Sequence, residues 1–266
     1  MGWFEQETAV EQVTERRWRG EIHRGWRIGE VANGGYVLAI AGRALAKALP
    51  HRDPLSVNAF YLAPVALGPI ECDIDILREG RSTSWATAKL SQNGELKVQV
   101  TAAYTDLYQL DGPDWCHVAR PEYPAWDDCM AGSASLEFTE RVEVRLAQGG
   151  EVFVDGRPSG RGEYAGWVAH RDGSHPDPIG LLMFADAFPP PALDIVGLIG
   201  WVPTIELTVQ VRARPTPGPV QVHLQSRFLT AGIVEEDGEY WDSAGRLVAV
   251  SRQTAKVRVP KAGQTL

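Results

Sequence analysis

Apolar residues recur along this chain with two different periods, and the order in which the periods alternate predicts its architecture. Residues 34 to 49, "GGYVLAIAGRALAKAL", are apolar almost all round the helical cycle, and Asn33 stands where it can cap the first turn. Such a helix should be buried. The stretches that follow, about 55 to 63, 69 to 79, 82 to 91 and 95 to 107, alternate or run apolar with strand-like composition, and "QNGE" at 92 to 95 is a hairpin signal. The predicted unit is one helix followed by an antiparallel meander.

The pattern then repeats. Asp177 followed by Pro178 is a cap and a first-turn proline, opening a helix over about 178 to 188 that Pro189, Pro190 and Pro191 must stop. Strands are expected at about 203 to 213, 219 to 229, 231 to 241 and 246 to 259, with 138 to 147 and 161 to 170 supplying the first strands of the second copy. "GPIEC" starting at Gly68 answers to "GPVQV" starting at Gly218, and "NGEL" at 93 to 96 answers to "AGRL" at 244 to 247. Gly29 and Gly180 stand at the same spacing, so an internal duplication is expected. Residues 108 to 137, rich in Pro, Asp and Trp, have no period and read as a crossover. The expected organisation is an N-terminal unit (1–107), a crossover (108–137) and a C-terminal unit (138–266), together an α+β fold.

Composition narrows the function. At 266 residues with 44% hydrophobic and 23% charged residues, the chain can bury a real core. Its 26 Lys+Arg against 34 Asp+Glu leave a net charge of −8, the wrong sign for a nucleic-acid binder. No apolar run approaches the ~18 residues of a membrane span, and the N-terminus lacks the apolar region of a secretion signal, so a cytoplasmic protein is expected. Cys72, Cys116 and Cys129 are odd in number and lack CxxC spacing, which argues for reduced thiols.

Several chemistries find no support. GxSxG, GxGxxG and Walker patterns do not occur. His170 and His175 flank "RDGS" and read as loop residues, so neither a metal nor a cofactor is expected. The informative polar residues are those the periodicity buries. Ile179, Leu182, Met183 and Asp186 share one helix face, and alternation in "RLVAVSRQTAKVRV" puts Gln253 on the inner face with Leu247, Ala249, Ser251 and Ala255. A carboxylate or amide left unpartnered in a core costs on the order of a few kcal/mol. Asp186 and Gln253 should therefore meet each other, water or a ligand, either as a buried tie between helix and sheet or as part of a working site.

The helix start "ANGGYVLAIAGRAL", the block "SVNAFYLAPVALGPIECDIDILREGRSTSWATAKLSQNGELKVQVTAAY" and the ending "GRLVAVSRQTAKVR" resemble the acyl-CoA thioesterase II family, whose members are double hotdogs. The resemblance implies a hydrolase releasing free acid and CoA from a fatty or other apolar acyl-CoA, working without cofactor and assembled as a homodimer. It implies a catalytic Asp, Thr and Gln, which fall on Asp186, Thr204 of "TIE" and Gln253. Alternation groups Thr204 with the polar face of its strand, so it reaches the site only if the strand starts or bulges after Pro203. Asn58 stands where the family often has His. Free N–H groups at Gly34 and Gly35, beside Asn33, would suit a developing negative charge, and Tyr36, Phe184, Phe188 and Trp201 are expected to line an apolar tunnel. Two other functions share the fold: a non-catalytic acyl-CoA or lipid binder, and an enoyl-CoA hydratase, for which "SHPDPIG" at 174 to 180 has the wrong order.

Overall fold

The computed structural model describes residues 1–132, 136–198 and 201–258, so the last expected strand position (259) and part of the crossover (133–135) lie outside the described residues. Two helices matter for the site. Gly34–Ala48 (α1) is capped by Asn33, whose side chain accepts from the Tyr36 N–H at 2.8 Å. Pro178–Phe184 (α2) is capped by Asp177, which accepts from the Gly180 N–H at 2.6 Å. The main strands are β1 (Arg17–Ile22), β2 (Asp53–Tyr61), β3 (Gly68–Glu79), β4 (Thr83–Gln92), β5 (Glu95–Thr105), β6 (Val142–Gln148), β7 (Glu163–His170), β8 (Thr204–Val211), β9 (Val220–Gln225), β10 (Ile233–Trp241) and β11 (Leu247–Lys256).

All of them join one antiparallel sheet of 14 strands in the order β1, β3, β4, β5, β2, β8, β11, β10, β9, β7, β6. Glu11–Gln12 pairs outside β1 and Met130–Ala131 outside β6, and Leu229–Thr230 pairs with β10. Read outward from the centre, the two halves have the same connectivity, which makes a double hotdog. The seam is the β2–β8 pair, with Val57 opposite Val209, Asn58 opposite Thr208 and Ala59 opposite Leu207. Both helices pack on the inner face of the sheet: α1 on its own half, and α2 against β2 and β8 at the seam.

Backbone geometry preserves the repeat. Gly68 and Gly218, at the starts of β3 and β9, have φ of 109° and 122°; Gly94 and Gly245, in the β4–β5 and β10–β11 hairpins, have 79° and 81°. L side chains rarely adopt these angles, so glycine is held at both members of each pair by conformation. The Gly29–Gly180 match is a coincidence of spacing, because Gly29 sits in a turn at φ 63° whereas Gly180 is inside α2.

Other expectations need correction. Helix α2 stops at Phe184, short of 188, because its last turn tightens: Asp186 N–H donates to Met183 O at 3.1 Å and Ala187 N–H to Phe184 O at 3.3 Å. Strand β1 went unexpected because its outward residues Arg17, Arg19 and Glu21 mask the inward Trp18, Gly20 and Ile22. His170 is a strand residue rather than a loop residue. It is the buried last residue of β7, its ring 4.9 Å from those of both Phe4 and Phe184, and neither nitrogen has a hydrogen-bond partner among the described residues.

Burial pushes the His170 imidazole down from 6.5 to about 4. The folded chain therefore resists a proton that the unfolded chain accepts, so the neutral ring's contribution is complete above pH 6.5 and is lost as pH falls toward 4. Thermal melts at pH 7.5 and 5.0 should show a smaller acid-induced drop in Tm for His170→Phe than for wild type. An equal drop would place the acid sensitivity elsewhere.

Candidate active site

Four N–H groups at the start of an α-helix lack partners within the helix. In α1 three of the four are bonded: Asn33 donates to Trp26 O at 2.9 Å, Tyr36 to Asn33 Oδ1 at 2.8 Å and Gly35 to Oδ2 of Asp186 at 2.9 Å, while the Gly34 N–H lies beside the same carboxylate and pulls its pKa down. Asn33 adds its own amide, with Nδ2 donating to Asp186 O at 2.7 Å and to Oδ2 at 3.0 Å. The positive end of the first-half helix thus seats the acid carried by the second half. The expectation that the Gly35 N–H stands free for an oxyanion is overturned, because Asp186 Oδ2 accepts it.

The seat depends on close approach. A Cβ on Gly35 would lie 2.6 Å from Met183 O and 2.9 Å from Asp186 Cβ, and one on Gly34 would lie 2.9 Å from Asp186 Oδ2. Gly42, two turns along α1, allows the same proximity to Leu182 and Ile179. The helices run antiparallel, and Arg43 bonds Asp177 Oδ2 at 2.7 Å at the far end of the contact. Tyr61 completes the wall by donating its hydroxyl to Gly34 O at 3.0 Å.

The Asp186 side chain is partly buried, and loss of solvation raises its pKa from 3.8 to about 6 against the opposing pull of Gly35, Gly34 and Asn33. Among the described residues no donor reaches Oδ1. One oxygen is anchored and the other is unclaimed.

Thr204 reaches the inner face through a bulge. It pairs with Ala255 and Leu207 pairs with Gln253, so Ile205 and Glu206 together oppose only Thr254. The extra residue cancels the alternation and returns Thr204 to the face of Leu207, Gln253 and Ala255. Gln253 is buried, and its Oε1 has no partner among the described residues. Asp186 takes its partners from α1 and not from Gln253.

The expected tunnel lining is mostly something else. Tyr36 is fully buried, stacked 4.8 Å from Trp26, and its hydroxyl donates to Glu7 O and Glu21 O at 2.6 and 3.0 Å. Phe184 packs on His170, and Trp201 is 41% exposed. All three belong to core or surface; Phe188, two residues past Asp186, is buried close to the acid. Asn58 lies on the outer face, bonded to Glu206 Oε1 and Thr208 Oγ1 at 2.5 and 2.9 Å, so the His-to-Asn difference does not touch the acid. Glu236 is a residue the sequence reading missed: it is buried on the inner face of β10, opposite Gln253. Alternation with Val234 and Tyr240 would have found it.

Among the described residues no His, Cys, Asp and Glu cluster could hold a metal ion, and no helix is long and apolar enough to cross a membrane. Fold and centre together define a double hotdog whose inner-face acid is shared between halves. Residues 22–105 match the acyl-CoA thioesterase N-terminal domain and residues 113–257 the C-terminal domain. A putative thioesterase II from Thermobifida fusca superposes with a TM-score of 0.89 at 30% identity, covering 97% of this chain and 98% of its own. A hot dog fold protein of unknown function from Alicyclobacillus acidocaldarius gives 0.87 at 20% identity over 98% and 100%. An uncharacterized protein of Mycobacterium tuberculosis is 27% identical over 91% of both chains. This chain belongs to the acyl-CoA thioesterase family and is a thioester hydrolase.

Gly35→Ala tests the helix contact. Alanine favours a helix interior by ~1 kcal/mol over glycine, but the added methyl meets a backbone carbonyl that cannot rotate away, and overpacking costs ~1–3 kcal/mol. The variant should be less stable than wild type in urea titration and lose at least ~10-fold in kcat. A gain in stability would show that the helices can part without cost.

Proposed function

We propose that this chain hydrolyses acyl-CoA thioesters with an apolar acyl group, Asp186 acting as the base that activates water. The anchored carboxylate with one unclaimed oxygen carries this reading. Its Oδ1 takes a proton as the water oxygen bonds to the thioester carbonyl carbon, with Thr204 and Gln253 supplying hydrogen bonds that orient that water. Collapse of the tetrahedral species breaks the carbon–sulfur bond, and the proton passes from Asp186 to the departing CoA sulfur. A pKa near 6 suits the role, since the carboxyl is ionised at neutral pH yet more basic than an exposed aspartate.

The apolar preference is supported by a second hydrophobic cluster, Ala192, Val234, Ala255 and Val257, backed by Val196, Val202 and Leu229. It continues from the Thr204–Ala255 pair, beyond Gln253. In this reading the N-terminal unit (1–107) and C-terminal unit (138–266), joined by the crossover (108–137), serve one centre. A homodimer fits the apolar surface that Phe60, Leu62, Trp201 and Ile205 expose around the seam. A monomeric mass at micromolar concentration would rule that assembly out.

Asp186→Asn keeps the volume and an accepting oxygen but cannot take a proton. It should lower kcat by ~10²–10⁴, read as free thiol released from an acyl-CoA panel. The same rate in a folded variant would mean that a different group acts as the base. Wild-type kcat/KM should rise with pH through about 6 as the base ionises.

Stability should move the other way. A raised carboxyl pKa stabilises the fold below the ordinary 3.8, and that contribution is lost as pH rises through about 6. At pH 8 Asp186→Asn should melt no lower than wild type. A clearly lower Tm would mark Asp186 as a structural tie.

A further inference from the structure

Glu236 is a buried acid, 6% exposed, that the mechanism above leaves unused. It projects from the inner face of β10 between Val234 and Gly238, directly across from Gln253 on β11. On its other side Ser226 follows the last β9–β10 pair, Gln225 with Asp237, and is itself buried. Oε1 of Gln253, Oγ of Ser226 and the hydroxyl of Tyr164 on β7 are all sealed from solvent without hydrogen-bond partners among the described residues. Buried orphans of this kind are rare in native proteins, and a group of them calls for a shared partner.

The charges around Glu236 decide its protonation. Asp186 faces it from the turn after α2, and Tyr240 and Tyr164 are the other titratable groups nearby. Asp237 flanks it on its own strand but bonds Arg227 and Arg252. Burial first, and then Asp186, hold the Glu236 carboxyl well above the usual range. Charged, it would repel Asp186 and offer nothing to Gln253 Oε1, which can only accept. Protonated, it has one O–H to give.

We propose that Glu236 is a positioning residue of the hydrolytic reaction: as a neutral acid it donates its O–H to Oε1 of Gln253, directly or through one buried water, and thereby turns the amide N–H₂ toward the water beside Asp186. The inference rests on the roles given to Asp186 and Gln253 above. It also explains why a buried amide and a buried acid stand as a cross-strand pair, since each supplies what the other lacks.

The test compares Glu236→Gln and Glu236→Leu with wild type and Asp186→Asn on one acyl-CoA. Glutamine still donates through its amide, so Glu236→Gln should keep kcat within about threefold. Leucine cannot donate, so kcat should fall at least tenfold with KM nearly unchanged. Its Tm should not fall, because replacing a buried ionisable group by an apolar one of similar volume is often neutral or stabilising. Adding Gln253→Ala to Glu236→Leu should cost little more than Gln253→Ala alone. Should the leucine variant not fold, Glu236→Met takes its place. Wild-type kcat in the apolar variant, or loss in Glu236→Gln as deep as in Glu236→Leu, overturns the proposal. Activity in Asp186→Asn would overturn the underlying mechanism, and this inference with it.

Discussion

A carboxylate from one half of the chain sits on the N-terminus of a helix from the other, and the rest of the centre follows from that contact. The helix supplies partial positive charge and fixed donors, which let an ionised acid exist where it is largely withdrawn from water. The acid in turn satisfies N–H groups that would otherwise be orphaned in the core. Neither half could hold the arrangement alone: without Asp186 the Gly35 N–H loses its partner, and without Asn33, Gly34 and Gly35 the carboxylate faces only burial. The glycines along α1 are the steric condition for this, since any side chain at Gly35 would push α2 away.

Much of the fold was legible in the sequence, because burial writes itself into periodicity. Both helices and the meander strands appear as apolar repeats, and the duplication shows in glycines whose positive φ angles the two halves still share. Strand β1 was hidden because arginines fill its outer positions. The early end of α2 was hidden because a tightened last turn has no sequence mark beyond the prolines downstream. Within the centre, burial of Asp186 and Gln253 could be argued from spacing, whereas the seat provided by Asn33, Gly34 and Gly35 could not, since it joins residues about 150 positions apart. Tyr36 and Phe184 turned elsewhere for one reason: an aromatic residue on a helix says nothing of which way its ring turns. Tyr36 turned to Glu7 and Glu21, and Phe184 to His170.

The second half carries a concentration of costs. Asp186 is ionised only against desolvation, Glu236 is buried beside it, and Gln253, Ser226 and Tyr164 hold polar atoms without partners among the described residues. The first-half strands β3, β4 and β5 face α1 with Ile70, Cys72, Ala86, Ala88, Leu90, Val98 and Val100, an ordinary apolar interior. Duplication thus separates two tasks. One copy supplies stability and a helix terminus, and the other accepts destabilising groups that a lone copy would carry with less margin.

The bulge between Thr204 and Glu206 shows how such a division can be written into a strand. Side chains on a strand have only two directions, and changing residue identity does not change direction. Changing strand length by one residue does, for every position on one side of the change. An insertion at a strand's end can therefore recruit a hydroxyl from the solvent face without altering the residue itself or the pairing beyond it. Among related chains, differences in chemistry at this position would be encoded in gaps of an alignment, where comparison by residue type does not look.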